Sequence, residues 1–82
     1  MHLRTRTLAN RLRSTRRECN LTQTELGSLS GTNQAVIQKI ENGISLRPRS
    51  INDIAKALKV NPAWLQFGEP WATKDVPQDA DW

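Results

Sequence analysis

The sequence is short of the groups that most chemistry needs. It has a single cysteine, Cys19, and a single histidine, His2. One thiol excludes an internal disulfide and a cysteine-built zinc site, and a reducing cytoplasm is its simplest home. Cys19 has no histidine near it in sequence to activate it, and His2 lies in an N-terminal arm. The carboxylates are scattered without paired spacing, and there is no glycine-rich loop of the kind that cradles phosphates. An enzyme is therefore not expected, nor a metal or cofactor. No apolar run approaches the roughly 20 residues of a membrane-spanning helix, so the chain reads as soluble. Residues 1–17 contain no acid and lack the apolar core of a secretion signal; their Arg and Thr content resembles a transit peptide only superficially. Proline is absent before Pro48, which leaves the first 47 residues free to be helical.

What is present is positive charge, unevenly placed. Residues 1–68 carry eleven Lys or Arg against four acids, a net of +7, whereas residues 69–82 carry one Lys against four acids, a net of −3. A small body this basic points to a phosphate-rich polymer or an acidic surface as partner. The plain alternative is that the charge only keeps a small domain soluble. The acidic end points to a different role or to none. With 37% hydrophobic residues in 82, one modest core is expected and no elaborate cavity.

Apolar residues recur at helical spacing, and alternation of strand length is absent, so the fold is expected to be all-α with five short helices. Thr7 is a plausible N-cap for the first, with Leu8, Leu12 and Cys19 on its apolar side and Arg11, Arg13 and Arg17 outward; Asn20 can end it. Thr22 followed by Glu25 is a capping box that opens the second, which continues through Leu26 and Leu29. Gly31 marks a tight turn, and the third runs from about Gln34 to Glu41 with Ile37 and Ile40 inward. A loop carries Arg47, Pro48 and Arg49. Ser50 caps the fourth helix, whose inner stripe is Ile51, Ile54, Ala55 and Leu58. Asn61-Pro62 starts the fifth, with Trp64, Leu65 and Phe67 apolar and Gly68 closing it. The chain thus divides into a basic arm (1–6), a helical domain (7–68) and an acidic tail or linker (69–82), in which Trp71 and Trp82 either stay extended or fold back.

Residues 23–40 carry the most specific pattern. A small residue, Gly27, falls at the fifth position of the unit and Gly31 at the ninth, with Leu26, Ile37 and Ile40 at positions that set the angle between two helices. These are the requirements of a helix-turn-helix, whose second helix protrudes to enter a major groove. With Ile37 and Ile40 inward, the exposed face of that helix holds Gln34, Ala35, Gln38 and Lys39, with Asn33 just before it. Gln matches adenine, Lys the acceptors of guanine, and Ala a thymine methyl. An ordinary solvated face would also be polar, but it would mix charges, and no Asp or Glu occurs from Leu26 to Ile40. Thr22 and Gln23 at a helix start, Asn42, Arg47 and Arg49 are candidates for the DNA backbone or the minor groove. Arg4, Arg6, Arg11 and Arg13 add a basic edge. Arg16 and Glu41 are expected to meet as a structural salt bridge.

The run LTQTELGSLSGTNQAVIQKIENG, then LRPRS, then NPAWLQFG, resembles the small all-helical Cro and repressor DNA-binding domains of lambdoid bacteriophages over about residues 7–68. The resemblance implies a five-helix lambda-repressor-like domain of the Cro/C1 type, without cofactor, working on double-stranded operator DNA in a bacterial cytoplasm. It implies that Gln34, Ala35 and Lys39 face bases beside Asn33, that Gln23, Asn42 and the Arg47–Arg49 loop contact the backbone, and that Arg16 and Glu41 form a buried pair. It also implies a homodimer, at least on DNA, with contacts around Pro62, Ala63, Leu65 and Gln66. Ser30 and Thr32 stand where such domains carry aliphatics, Leu29 sits one residue early, and Lys39 and Ala35 replace expected glutamines, so the target sequence is this chain's own. Two variants of the reading remain open: a further C-terminal domain, or an antitoxin-type or interaction module whose tail grips a protein partner.

Overall fold

The computed structural model describes residues 7–76, which form α1 (Leu8–Glu18), α2 (Gln23–Leu29), α3 (Gln34–Glu41), α4 (Ile51–Leu58) and α5 (Pro62–Phe67). The arm with His2, Arg4 and Arg6, and the end of the tail with Trp82, lie outside the described residues. The five-helix, all-α expectation is met, and the helix starts follow local chemistry. The hydroxyl of Thr7 accepts from the Asn10 amide, and Thr22 and Glu25 exchange both hydrogen bonds of a capping box. Asn33 caps α3 through the Val36 amide, and Asn61 caps α5 through Ala63 with Pro62 at the first helical position. Ser50 holds the position before α4, but its side chain makes no capping bond. Asn20, at φ 58°, ends α1 in the left-handed conformation, and Leu21 donates back to the Arg16 carbonyl at 3.1 Å.

Leu12, Leu26, Ile37, Ile40, Ile54 and Leu65 are fully buried where the helices converge. Each contributes about 1.5–3 kcal/mol by leaving water. α2 and α3 cross at Gly27, where an added Cβ would lie 2.5 Å from the backbone carbon of Asn33. Only hydrogen fits there. The turn between them is closed by polar atoms. Ser30 Oγ donates to the Leu26 carbonyl at 2.8 Å and lies 2.9 Å from Thr32 Oγ1, while the Thr32 amide donates to the Gly27 carbonyl at 2.7 Å. Ser30 is buried yet satisfied, which explains how a hydroxyl stands where an aliphatic was expected. Leu29, one residue early, points out and is 63% exposed.

Several expected orientations are corrected. Arg11, expected to face outward, is buried: its Nε donates to the Leu65 carbonyl at 2.9 Å and its Nη2 to the Gln66 carbonyl at 2.7 Å. These are orphan carbonyls at the end of α5, and a cation is the natural group to satisfy them. Burial lowers the Arg11 pKa from its ordinary value. Cys19, expected on the apolar side of α1, is exposed at the helix end. Phe67, expected inward, is 56% exposed, because Trp64 and Leu65 already fill the inner side of α5.

The first part of the tail docks on the domain. Asn61 donates its amide to the Lys74 carbonyl at 2.9 Å and its Nδ2 to the Thr73 carbonyl at 3.1 Å. Lys74 Nζ lies 2.6 Å from Glu18 Oε1 and 5.4 Å from the centre of the Trp64 ring. Ala72 packs against the core, whereas Trp71 stays exposed.

Candidate nucleic-acid interface

α3 is held by the helices beneath it, so its outer face is rigid. Ile37 and Ile40 anchor it in the core, which leaves Ala35, Gln38 and Lys39 exposed and Gln34 half-exposed on the other side. The one acid of the helix, Glu41, is turned away: its side chain is 1% exposed. Arg16 Nε donates to its Oε2 at 2.7 Å and Arg16 Nη2 to its Oε1 at 3.1 Å, the two-pronged geometry that guanidinium and carboxylate favour. Arg16 Nη1 also donates to the Leu21 carbonyl at 2.8 Å. Arg13, assigned from sequence to a basic edge, instead donates through Nη2 to the Glu41 carbonyl at 2.8 Å and brings its Nε to 3.5 Å from Oε1.

These contacts set the electrostatics. Burial by itself raises the Glu41 pKa, but hydrogen bonds from Arg16 and Gln23 and the charges of Arg16 and Arg13 outweigh it, and the carboxyl is held below its ordinary range. The Glu41 hydrogen bond in turn raises Arg16. The acid is therefore paired with Arg16, with the partly exposed Arg13 beside it, and contributes no negative charge to the face of α3.

A chain of amides links this pair to the surface. Gln23 Nε2 donates to Glu41 Oε1 at 3.2 Å, Gln34 Nε2 donates to Gln23 Oε1 at 3.0 Å and to Gln38 Oε1 at 3.3 Å. Gln23 is thus half-buried as well as near the start of α2. Asn33 has its side-chain oxygen engaged by the Val36 amide, which leaves its amide nitrogen as the group it presents.

Beyond α3, the Ile44 and Ser45 amides both donate to the Lys39 carbonyl, which folds the loop back alongside the helix. A cleft of about 370 Å³ between them is bordered by Val36, Lys39, Pro48 and Arg49. Lys39 and Arg49 therefore share one surface, and Arg47, Arg49 and Asn42 are all exposed. A second groove, of about 410 Å³, runs between the loop and α4 and α5, bordered by Arg47, Pro48, Ile51, Pro62, Ala63 and Phe67. Leu65, expected from sequence to contact a second copy, is 0% exposed, since it faces the core from α5; Pro62, Ala63 and Gln66 reach the surface. Arg11 is buried, tied to the carbonyls of α5.

The buried Arg11 is the residue that the sequence reading misplaced most. The signal was available: Leu8, Arg11, Leu12 and Thr15 follow one helical stripe, and all four are buried. The amide chain through Gln23 had no sequence signal, because its members sit on different helices. Among the described residues, no helix is long and apolar enough to cross a membrane.

Comparison with known proteins agrees with this geometry. The transcriptional regulator PrtR of Pseudomonas aeruginosa is 39% identical over 61 residues, covering 74% of this chain and 24% of that protein. The transcriptional regulator for conjugative element R391 of Providencia rettgeri is 39% identical over 64 residues, covering 78% of this chain and 30% of that protein. The chain thus spans about a quarter to a third of the length of these curated relatives. Among solved structures, the P22 c2 repressor in complex with a synthetic operator superposes with a TM-score of 0.74 at 24% identity, covering 79% of this chain and 100% of that one. The restriction-modification controller protein C.AhdI of Aeromonas hydrophila gives 0.67 at 28% identity, covering 78% and 98%. The profile of the helix-turn-helix family matches residues 12–65, and the chain belongs to that family.

Proposed function

We propose that this chain is a sequence-specific DNA-binding transcriptional regulator that grips a palindromic operator as a dimer. The observation that carries the reading is the outer face of α3: it is polar, rigidly backed and free of exposed acid, and Lys39 on it shares a cleft with Arg49 from the loop. In this reading α3 lies in the major groove, with Asn33, Gln34, Ala35, Gln38 and Lys39 toward base edges. Thr22, Gln23, Asn42, Arg47 and Arg49 contact the backbone, Arg49 being directed to the minor groove at the centre of the operator. Backbone contacts give most of the affinity and its salt dependence, and α3 gives the discrimination. An operator that overlaps a promoter would, when occupied, exclude polymerase.

A second copy is assigned to the groove beside α5, with Pro62, Ala63 and Gln66 in contact. The groove is largely apolar at its rim and continuous with Arg47, which would bring the two loops together over the operator centre. The names of the relatives, regulators of transcription and of a conjugative element, support the class of function, and the working place would be DNA in a bacterial cytoplasm.

Selection of bound duplexes from a random DNA pool at physiological salt tests the reading. The expected product is a palindrome with half-sites about 10 base pairs apart, one helical turn. An enriched single half-site would remove the dimer, and no enrichment would remove sequence-specific binding.

A further inference from the structure

Residues 69–82 carry four acids and one base, Lys74, and that base is the hook by which the tail is held. After Gly68, at φ 76°, the chain turns, with the Ala72 amide donating to the Gly68 carbonyl at 3.2 Å. By residues 73 and 74 it has returned to the start of α5. There Asn61, 9% exposed, donates its backbone amide to the Lys74 carbonyl and its Nδ2 to the Thr73 carbonyl, while its Oδ1 accepts from the Ala63 amide at 3.0 Å. One residue thus caps α5 and grips the returning chain. Lys74 then reaches across to Glu18 and to the Trp64 ring. Glu18 is the last residue of α1, where a negative charge opposes the helix dipole and a cation relieves it. Each of these contacts is modest, and the ion pair is exposed, so losing one shifts the balance between docked and released chain.

We propose, resting on the dimer reading above, that residues 72–74 are a strap that controls the dimer face: docked, it holds the first turn of α5 in place, and released, it lets that turn loosen and the face for a second copy is lost. Pro62 and Ala63, the two residues after Asn61, border the groove assigned to the second copy. α5 has only six residues, too few to keep their shape without outside contacts. The Ala63 amide is held by Asn61, and Asn61 is held by the strap. These partners lie on α1 and at α5, not on α3. Release therefore changes how two copies cooperate and not which bases are read. Anything that draws the acidic segment after Lys74 away from the domain acts on the dimer through Asn61.

The test uses the 82-residue chain in four forms: unmodified, Lys74→Glu, Glu18→Lys, and the double variant with both charges exchanged. Both side chains are partly exposed, so the fold is expected to tolerate all four. Amide hydrogen exchange reads docking. The Asn61 amide is expected to be protected in the unmodified and double forms and to exchange almost freely in the two single variants. Binding reads the consequence, with the palindromic duplex that the unmodified protein enriches from a random pool set against the same duplex with one half-site scrambled. If the docked fraction falls to about a third in each protomer, preference for the palindrome falls by about tenfold, because both copies must be docked at once. The double variant is expected to recover most of it, and the half-site sequence to stay the same throughout. An Asn61 amide unprotected in the unmodified protein, a palindrome preference equal in all four forms, or a loss that the double variant does not recover overturns the proposal and leaves the DNA-binding reading standing. Enrichment of a single half-site by the unmodified protein overturns the dimer and the proposal together, and no enrichment overturns the DNA-binding reading with them.

Discussion

Arg16 on α1 and Glu41 at the end of α3, twenty-five positions apart, meet through two hydrogen bonds of 2.7 and 3.1 Å. The pair ties α1 to α3, the helix whose outer face is proposed to meet DNA. Removing one partner leaves the other without its counter-charge in a place largely closed to water. Glu41→Ala is accordingly expected to destabilise the fold by roughly 3 kcal/mol, at the lower end of the range for buried pairs because an edge of Arg16 reaches solvent. Urea denaturation measures it. A change below about 0.5 kcal/mol, the size of a surface substitution, would discard the structural role.

The same pair makes stability depend on acidity. The Glu41 carboxyl is held below its ordinary value of 4.5, so the unfolded chain takes up its proton at a higher pH than the folded one. The contribution is present at neutral pH and is lost as pH falls below about 4.5 through the lowered pKa of the folded state. Melting temperatures of the unmodified protein and Glu41→Gln should therefore converge as the pH is lowered through this window. A gap that widens toward low pH would contradict the assigned direction.

Gly27 is the closest approach of α2 and α3. A methyl group there would meet Asn33 backbone at 2.5 Å, and backbone cannot yield as a flexible side chain does. Gly27→Ala is expected to cost about 1–3 kcal/mol by overpacking and to tilt α3 away from its seat. Calorimetry reads the first effect and DNA affinity the second. Unchanged stability would mean that the helices separate freely, which the buried Leu26 and Ile37 argue against.

Lys39 is exposed on α3, with its ammonium on the outer face of the helix. Lys39→Ala is expected to relax preference at one base pair of each half-site by about 1–3 kcal/mol, with the other positions intact. An equal loss on every sequence would reassign it to the backbone.

Arg49 borders the same cleft from the loop. Arg49→Ala should weaken binding to all duplexes and reduce the slope of log affinity against log salt by about 1, the signature of one phosphate fewer being neutralised. A slope equal to that of the unmodified protein would take it out of the interface.

Local signals were legible wherever the physics is local. The Thr22–Glu25 capping box, the αL residue Asn20 and Pro62 after Asn61 each mark a helix boundary through atoms a few positions apart, and each boundary stands in the structure. The glycine spacing announced the close crossing of α2 and α3, because only tight contact demands a missing side chain at Gly27. The outward place of Leu29 and the inward place of Ser30 were not legible, since one residue of phase separates them and the turn decides it through its own hydrogen bonds.

The sequence by itself determined five helices, the helix-turn-helix between Gln23 and Glu41, and the acid-free composition of the α3 face, because these depend on neighbours within a turn or two of the chain. Only the tertiary structure decided that Arg11 is buried against α5, that Leu65 belongs to the core and not to a contact surface, that Lys74 folds back on Glu18 and Trp64, and that Gln23 stands between Glu41 and Gln34. For the polar side chains the physical reason is the same. A long polar side chain finds its partner by reach and by the direction of its donors, and those partners lie on other helices, between 10 and 56 positions away.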